Sequence, residues 1–305
     1  MDSLATEEKI RTAARSGQTI EIRGYTFSER FQQRLDLSLY ACLNTYGRSA
    51  LHPVVLAVAQ ELCLWASLAN MRQVYFDEYG LDLNDPAQIG SREPGFQASV
   101  NHAREAYYRA ETKARGLHLR ARIVHNAAGM RIEVLNNSVH SVPLEEQLRD
   151  YLNQAMRYES IMEYYSDHPD DPDGRGVGLA LAVLMLKEEQ LRPELMRLGH
   201  TQDETVSRLE IPFETTYASI RDRLERGEEM RPFAGGSLVP PDLADALAIQ
   251  DQLYVQCPIC RRQVDERVFF PEVSGDMLNV ERVRAERHDW REDLGACAIC
   301  LATYE

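Results

Sequence analysis

Lysine is nearly missing from this chain. Of the 34 basic residues only Lys9, Lys113 and Lys187 are lysines, so chemistry that needs a Schiff-base or phosphate-binding lysine has few candidates. Excess positive charge is missing too. A formal net charge of −14 opposes the counterion release on which nucleic-acid binding depends, and it equally opposes attraction to anionic membrane surfaces. Nucleic acid is therefore disfavoured as a partner. The opening segment MDSLATEEKIRTAARSGQTIEIRG has no apolar centre of the signal-peptide kind, and no apolar run reads as long enough to span a bilayer. A cytoplasmic protein without membrane insertion is expected. Internal repeats and long low-complexity tracts are also missing.

What is present is ordinary globular material: 305 residues, 44% of them hydrophobic, enough for one sizeable domain and a smaller one. Phe27, Phe31, Leu35, Leu39 and Leu43 recur every four residues and predict an amphipathic helix. HPVVLAVAQELCLWASLANMR is apolar almost all round and reads as a buried central helix starting near Pro53. QVYFDEYGLDLND reads as a short strand and turn, and QASVNHAREAYYRAETKARG as a more exposed helix. Alternation on both sides of NAAG, over residues 117–138, predicts a two-stranded hairpin with one buried face. PLEEQLRDYLNQAMRYESIMEYYSD reads as a helix, HPDDPDG as a breaker loop, and ETVSRLEIPF as a closing strand. The order predicts an α+β domain with a two-layer arrangement, one mixed sheet with helices on a face, over residues 1–214. A helix and a Pro/Gly-rich linker follow over 215–250, and a cysteine-bearing tail over 251–305.

Six cysteines divide into two kinds. Cys42 and Cys63 lie on apolar helices, where a free thiol packs as a small hydrophobe. Cys257, Cys260, Cys297 and Cys300 form CPIC and CAIC, two C-x-x-C hooks separated by 36 residues. Two such hooks complete the tetrahedral four-sulfur shell of a structural zinc. Lasting disulfides fit poorly with a reducing cytoplasm, and a thioredoxin-type site needs a βα unit that the tail lacks. The arrangement resembles a zinc ribbon with an enlarged insertion. A tail of this size buries too little surface to fold securely alone, and structural zinc contributes on the order of 10–16 kcal/mol in small metal domains. Residues 251–305 hold eleven acidic against seven basic side chains, which favours a structural or protein-contacting role over DNA reading.

DGRGVGLALAVLMLKEE places Gly174, Gly176 and Gly178 at alternate positions before an apolar helix. Glycines so spaced let backbone amides converge on an anion at a helix N-terminus, and Arg175 would add a bidentate cation. The same spacing also arises where backbone must pack closely, and both readings stay open here. GRGVGLALA, with ELCLWASLAN, IEVLNNS and TVSRLEIPF, resembles the GHKL superfamily of ATP-binding domains over approximately residues 20–213. That family includes histidine kinases, gyrase, heat-shock chaperones and mismatch-repair ATPases. The resemblance makes the glycine stretch the phosphate-facing box and places Glu61 at the water-activating position. It also shows departures. Trp65 stands where the family has its magnesium-binding asparagine, Asn136 where it has the adenine-reading aspartate, and Ser138 where it has a glycine. An indole offers no oxygen to a hard cation. ATP binding thus stays possible while magnesium chemistry is not expected, and His52, followed by Pro53, does not look like a phosphoacceptor.

The resulting expectation is a bacterial cytoplasmic regulatory or scaffold protein. It reuses a degenerate GHKL fold to bind protein, and a zinc tail supplies a second surface. The competing expectation is a nucleotide-binding ATPase or protein kinase with residual activity, Glu61 serving as base. A homodimer is compatible with either.

Overall fold

In a computed structural model, the described residues are 2–100, 105–167, 175–201, 203–228, 231–232, 238–239, 246–250, 254–265, 269–270, 273, 278–288 and 290–304. The chain divides into two compact units, Met1–Gln250 and Asp251–Glu305.

The first unit opens with α1 (Asp2–Arg15), β1 (Thr19–Gly24), α2 (Glu29–Thr45), α3 (His52–Glu78), α4 (Pro86–Ser99) and α5 (Glu105–Ala114). The hairpin β2 (Leu119–Asn126) and β3 (Gly129–Asn136) follows, then α6 (Val142–Ala155), α7 (Ile161–Asp167) and α8 (Arg175–Glu188). The unit ends with β4 (Met196–His200), β5 (Thr205–Pro212), α9 (Ile220–Glu225), β6 (Arg231–Pro232), β7 (Leu238–Val239) and β8 (Ala246–Gln250). One six-stranded sheet runs in the order β4-β5-β3-β2-β1-β8. Its first five strands are antiparallel, and β8 joins β1 in parallel. The architecture is mixed α+β.

Period-two alternation sorts the sheet's side chains into two unlike faces. Ile20, Ile123, Ile132, Leu209 and Met196 form one cross-strand row, buried in the core with α2, α3 and α8. The next row is Glu21, Arg122, Glu133 and Arg208, alternating in charge across four adjacent strands. This second face is buried as well: Glu21, Arg122 and Glu133 are each 0% exposed. The expectation of a single buried hairpin face is corrected accordingly. Arg122 reaches Glu21 on β1 and Glu133 on β3, and Arg208 pairs with Glu210 on its own strand, so these charges leave water as ion pairs rather than singly.

Helix α2 begins where the Ser28 hydroxyl accepts the Phe31 amide, and Phe31, Leu35, Leu39 and Leu43 are all buried. Helix α3 departs from expectation at its far end. The QVYFDE stretch continues the helix instead of forming a strand. Val74, Tyr75 and Phe76 favour strands locally, yet they pack with Phe96 and Tyr108 of α4 and α5 into a separate apolar cluster. Burial against those helices overrides the local bias. With its preceding turn this helix, Ser49–Glu78, is long and apolar enough to cross a bilayer by length and composition, contrary to expectation. More than half of its most apolar window, 56%, is buried within the protein, because it is the central helix of the core. The segment expected as one helix after the hairpin breaks into α6 and α7. The charged helix expected after residue 214 is α9, whereas the stretch read as a linker supplies the sheet strand β8.

His125, on β2, is buried, with Nδ1 3.0 Å from the Tyr46 hydroxyl and Nε2 3.1 Å from the Gln18 carbonyl. The neutral ring suits both contacts, Nε2–H donating to Gln18 and Nδ1 accepting from Tyr46. Burial holds its pKa below the ordinary value, against the upward pull of the Gln18 carbonyl. The unfolded chain therefore binds a proton near pH 6.5 that the folded chain refuses, and stability falls as pH drops through that range. Urea midpoints at pH 7.5 and 5.5 are expected to differ more in the wild type than in His125→Gln. An equal or larger difference in the variant would refute the assignment.

The second unit holds β9 (Tyr254–Gln256), β10 (Gln263–Asp265), β11 (Phe269–Phe270), α10 (Val280–Glu286), β12 (Ala296–Cys297) and α11 (Ala298–Tyr304). β9 pairs with β10 and β11 with β12, both antiparallel. Trp290, Leu278, Val283 and Ile259 form its small core with the cysteines. The Trp290 indole donates to the Gly295 carbonyl at 2.9 Å.

Candidate functional site

The first C-x-x-C hook is the turn between β9 and β10. There the Cys257 amide donates to the Arg262 carbonyl at 3.0 Å and the Arg261 amide to the Cys257 carbonyl at 2.8 Å. Arg261 takes a φ of 58° to close the turn. The second hook differs from a ribbon's: Cys297 ends β12 and Cys300 lies on α11. The four thiols converge, with Sγ atoms within 4.8 Å of one another.

Cys257 Sγ lies 3.8 Å from Cys300 Sγ, and Cys260 Sγ lies 3.8 Å from Cys297 Sγ. These are not disulfides, whose sulfurs sit about 2.05 Å apart, and all four cysteines are free. A tetrahedron with Zn–S bonds of about 2.3 Å has edges of about 3.8 Å. Donor chemistry and spacing both fit a metal such as zinc, held by Cys257, Cys260, Cys297 and Cys300. Burial disfavours the Cys257 thiolate, but amides of Cys260, Cys297 and Ile259 outweigh it and bring the thiol down to about 7. A thiolate is thereby available near neutral pH.

In the first unit the residues singled out for nucleotide chemistry lie on α3, β3 and α8. Gly174 falls outside the described residues, while Arg175 and Gly176 begin α8. A Cβ added at Gly178 would stand 2.1 Å from Glu61 Oε1, so a side chain at that position would have to push the Glu61 carboxylate aside. Glu61 Oε1 in turn accepts the Trp65 indole N–H at 2.8 Å. Burial pushes the Glu61 carboxyl above its ordinary value, with the indole hydrogen bond pulling the other way.

Trp65 also lines a cavity of about 90 Å³ with Asn136, Ser138, Leu148, Leu198 and Thr205. Neither Glu61 nor Gly178 lines it. Asn136 is buried, and its amide nitrogen donates to Ser138 Oγ at 2.7 Å and to Asn70 Oδ1 at 3.5 Å. Only its carbonyl oxygen is left to offer a ligand.

The same cavity is lined by His140 and Glu145, which sequence reasoning passed over. His140 Nε2 lies 2.5 Å and His200 Nδ1 3.0 Å from the same oxygen, Glu145 Oε2. The two imidazoles stack with centroids 3.9 Å apart, and Arg149 engages the other carboxylate oxygen. Burial works against the Glu145 carboxylate, yet the hydrogen bonds from His140, Arg149 and His200 prevail and keep its pKa below the ordinary value. No spacing motif joins residues 140, 145 and 200, so nothing in the sequence marked them.

No family model matches the chain, and no solved structure matches it. An uncharacterized protein of Treponema pallidum (strain Nichols) is 29% identical over 231 residues, covering 72% of this chain and 44% of the relative. The chain thus spans less than half the length of that relative.

Proposed function

We propose that this protein is a non-catalytic regulatory or scaffold protein of the cytoplasm, in which a degenerate GHKL-type domain binds protein and a zinc-held tail provides a second contact surface. The observation that carries the reading is the Glu61–Trp65 pair. The residue at the position of the family's magnesium ligand donates a hydrogen bond to the residue at the position of its base. A carboxylate so engaged, half-buried and pressed against Gly178, is poorly placed to activate water. The size of the cavity adds support, since about 90 Å³ is well below the roughly 300–1,000 Å³ of a typical small-ligand site. Trp65 on its wall reads as a filler of the vacated nucleotide pocket. In this reading Gly178 is packing geometry, and the acidic surplus of the tail suits a basic protein surface better than nucleic acid.

The purified protein is expected to show no magnesium-dependent ATP hydrolysis above background, because Trp65 offers no oxygen to the metal that neutralises charge developing in phosphoryl transfer. Calorimetry with ATP and ADP is expected to be silent. Turnover abolished by Glu61→Ala, or saturable nucleotide binding lost in Arg175→Ala, would overturn the proposal and favour a nucleotide-binding ATPase.

A further inference from the structure

We propose that His140, Glu145 and His200 form a second metal site, taking a divalent ion of the zinc class at the edge of the cavity that Trp65 and Asn136 line. The three residues come from separate places in the fold: the segment before α6, the first turn of α6, and the end of β4. They nevertheless converge, with their ligand atoms within 4.8 Å of one another. Two imidazole nitrogens approach one carboxylate oxygen at 2.5 and 3.0 Å. Tetrahedral zinc with bonds of about 2.0–2.1 Å spaces its ligand atoms about 3.3 Å apart. Small side-chain rotations therefore admit the ion, which replaces the protons now bridging nitrogen and oxygen.

The donor set selects the class of metal. Two imidazoles and one carboxylate suit zinc and its first-row neighbours, whereas magnesium and calcium prefer oxygen alone. The carboxylate is already oriented, because Arg149 takes Oε1 and leaves Oε2 to the imidazoles. Such an outer partner is a regular feature of metal centres. Access is also present: the His200 side chain is 49% exposed, that of His140 30% and that of Glu145 14%. Three protein ligands leave a fourth position for water or an exogenous donor, unlike the closed four-thiolate site of the tail. The assignment stands independently of the GHKL reading, since none of its ligands belongs to the residues that carry that resemblance.

Untagged full-length protein carrying one zinc per chain, titrated with zinc chloride in a calorimeter, is expected to take up one further equivalent. His140→Gln and His200→Gln should each weaken that second event by more than about tenfold, while His288→Gln leaves it unchanged. Cobalt provides a readout on the wild type alone. A second cobalt equivalent is expected to add visible d–d bands without added thiolate-to-metal charge transfer. Absence of a second equivalent in the wild type, its persistence in the His140→Gln/His200→Gln double variant, or a second cobalt equivalent that adds only thiolate bands would overturn the site.

Discussion

Cys297→Ser is expected to unfold residues 251–305 while Met1–Gln250 stays folded, and to remove one metal equivalent per chain. The tail's core is a handful of side chains gathered on the cysteines, Trp290, Leu278, Val283 and Ile259 among them. A unit of that size has little stability of its own. Structural zinc supplies on the order of 10–16 kcal/mol in comparable metal domains, so losing one thiolate removes the main term favouring the fold. The chain holds two tryptophans, Trp65 and Trp290, one in each unit. In a Trp65→Phe background, Trp290 alone reports on the tail. It is 2% exposed, and its emission should shift to the red in Cys297→Ser or on adding a strong chelator. Metal analysis of the same samples should show one equivalent fewer. Unshifted emission with full zinc content in Cys297→Ser, or mass mapping of a Cys257–Cys260 disulfide, would refute the four-thiolate zinc.

Arg122→Met is expected to destabilise the first unit by about 3–5 kcal/mol, the range for breaking a buried ion pair from one side. The guanidinium is fully buried. It donates to Glu21 Oε2 from Nε at 3.0 Å and Nη2 at 2.8 Å, and Nη1 reaches Glu133 Oε2 at 3.3 Å. Its loss leaves two buried carboxylates short of a partner on β1 and β3. Arg131 still meets Glu133 at 3.0 Å, and Arg23 still pairs with Glu21, so the row is weakened without being erased. Replacing all three members with apolar residues of similar volume should recover only part of the loss, because the two carboxylates go with their partner but the buried Arg131 then loses Glu133. Chemical denaturation of the single and triple variants tests both expectations. A single variant within about 1 kcal/mol of wild type would show that the row contributes little.

Much of the first unit was legible because its local signals agree with its tertiary environment. The four-residue apolar repeat from Phe31 to Leu43 meets the core as a helix, and the alternation around NAAG becomes β2 and β3. Where neighbours far along the chain decide the outcome, the reading failed. Val74, Tyr75 and Phe76 carry strand-forming side chains, and it takes α4 and α5 to make them a helix face. The alternate polar positions of the sheet look like a wet face, because cross-strand register is invisible until Glu21, Arg122, Glu133 and Arg208 are aligned.

The sites divide in the same way. Two C-x-x-C hooks announce a metal by themselves, since each pair of thiols lies within one turn of chain and the chemistry of four sulfurs is restrictive. That CAIC lies at a strand-to-helix junction, and that sulfurs of opposite hooks stand 3.8 Å apart, was decided by folding. Glycine at 178 could be read from sequence as an anion cradle or as close packing, and only the folded chain shows the Glu61 carboxylate standing where a Cβ would go. His140, Glu145 and His200 stand at the opposite limit: they share no motif, and their meeting is a product of where β4 ends and α6 begins. Sequence by itself determines chemistry whose ligands are near neighbours along the chain, together with the periodicities of individual elements. Tertiary structure decides everything that depends on side chains brought together across long loops, because local propensities are small beside the burial and pairing energies that folding adds.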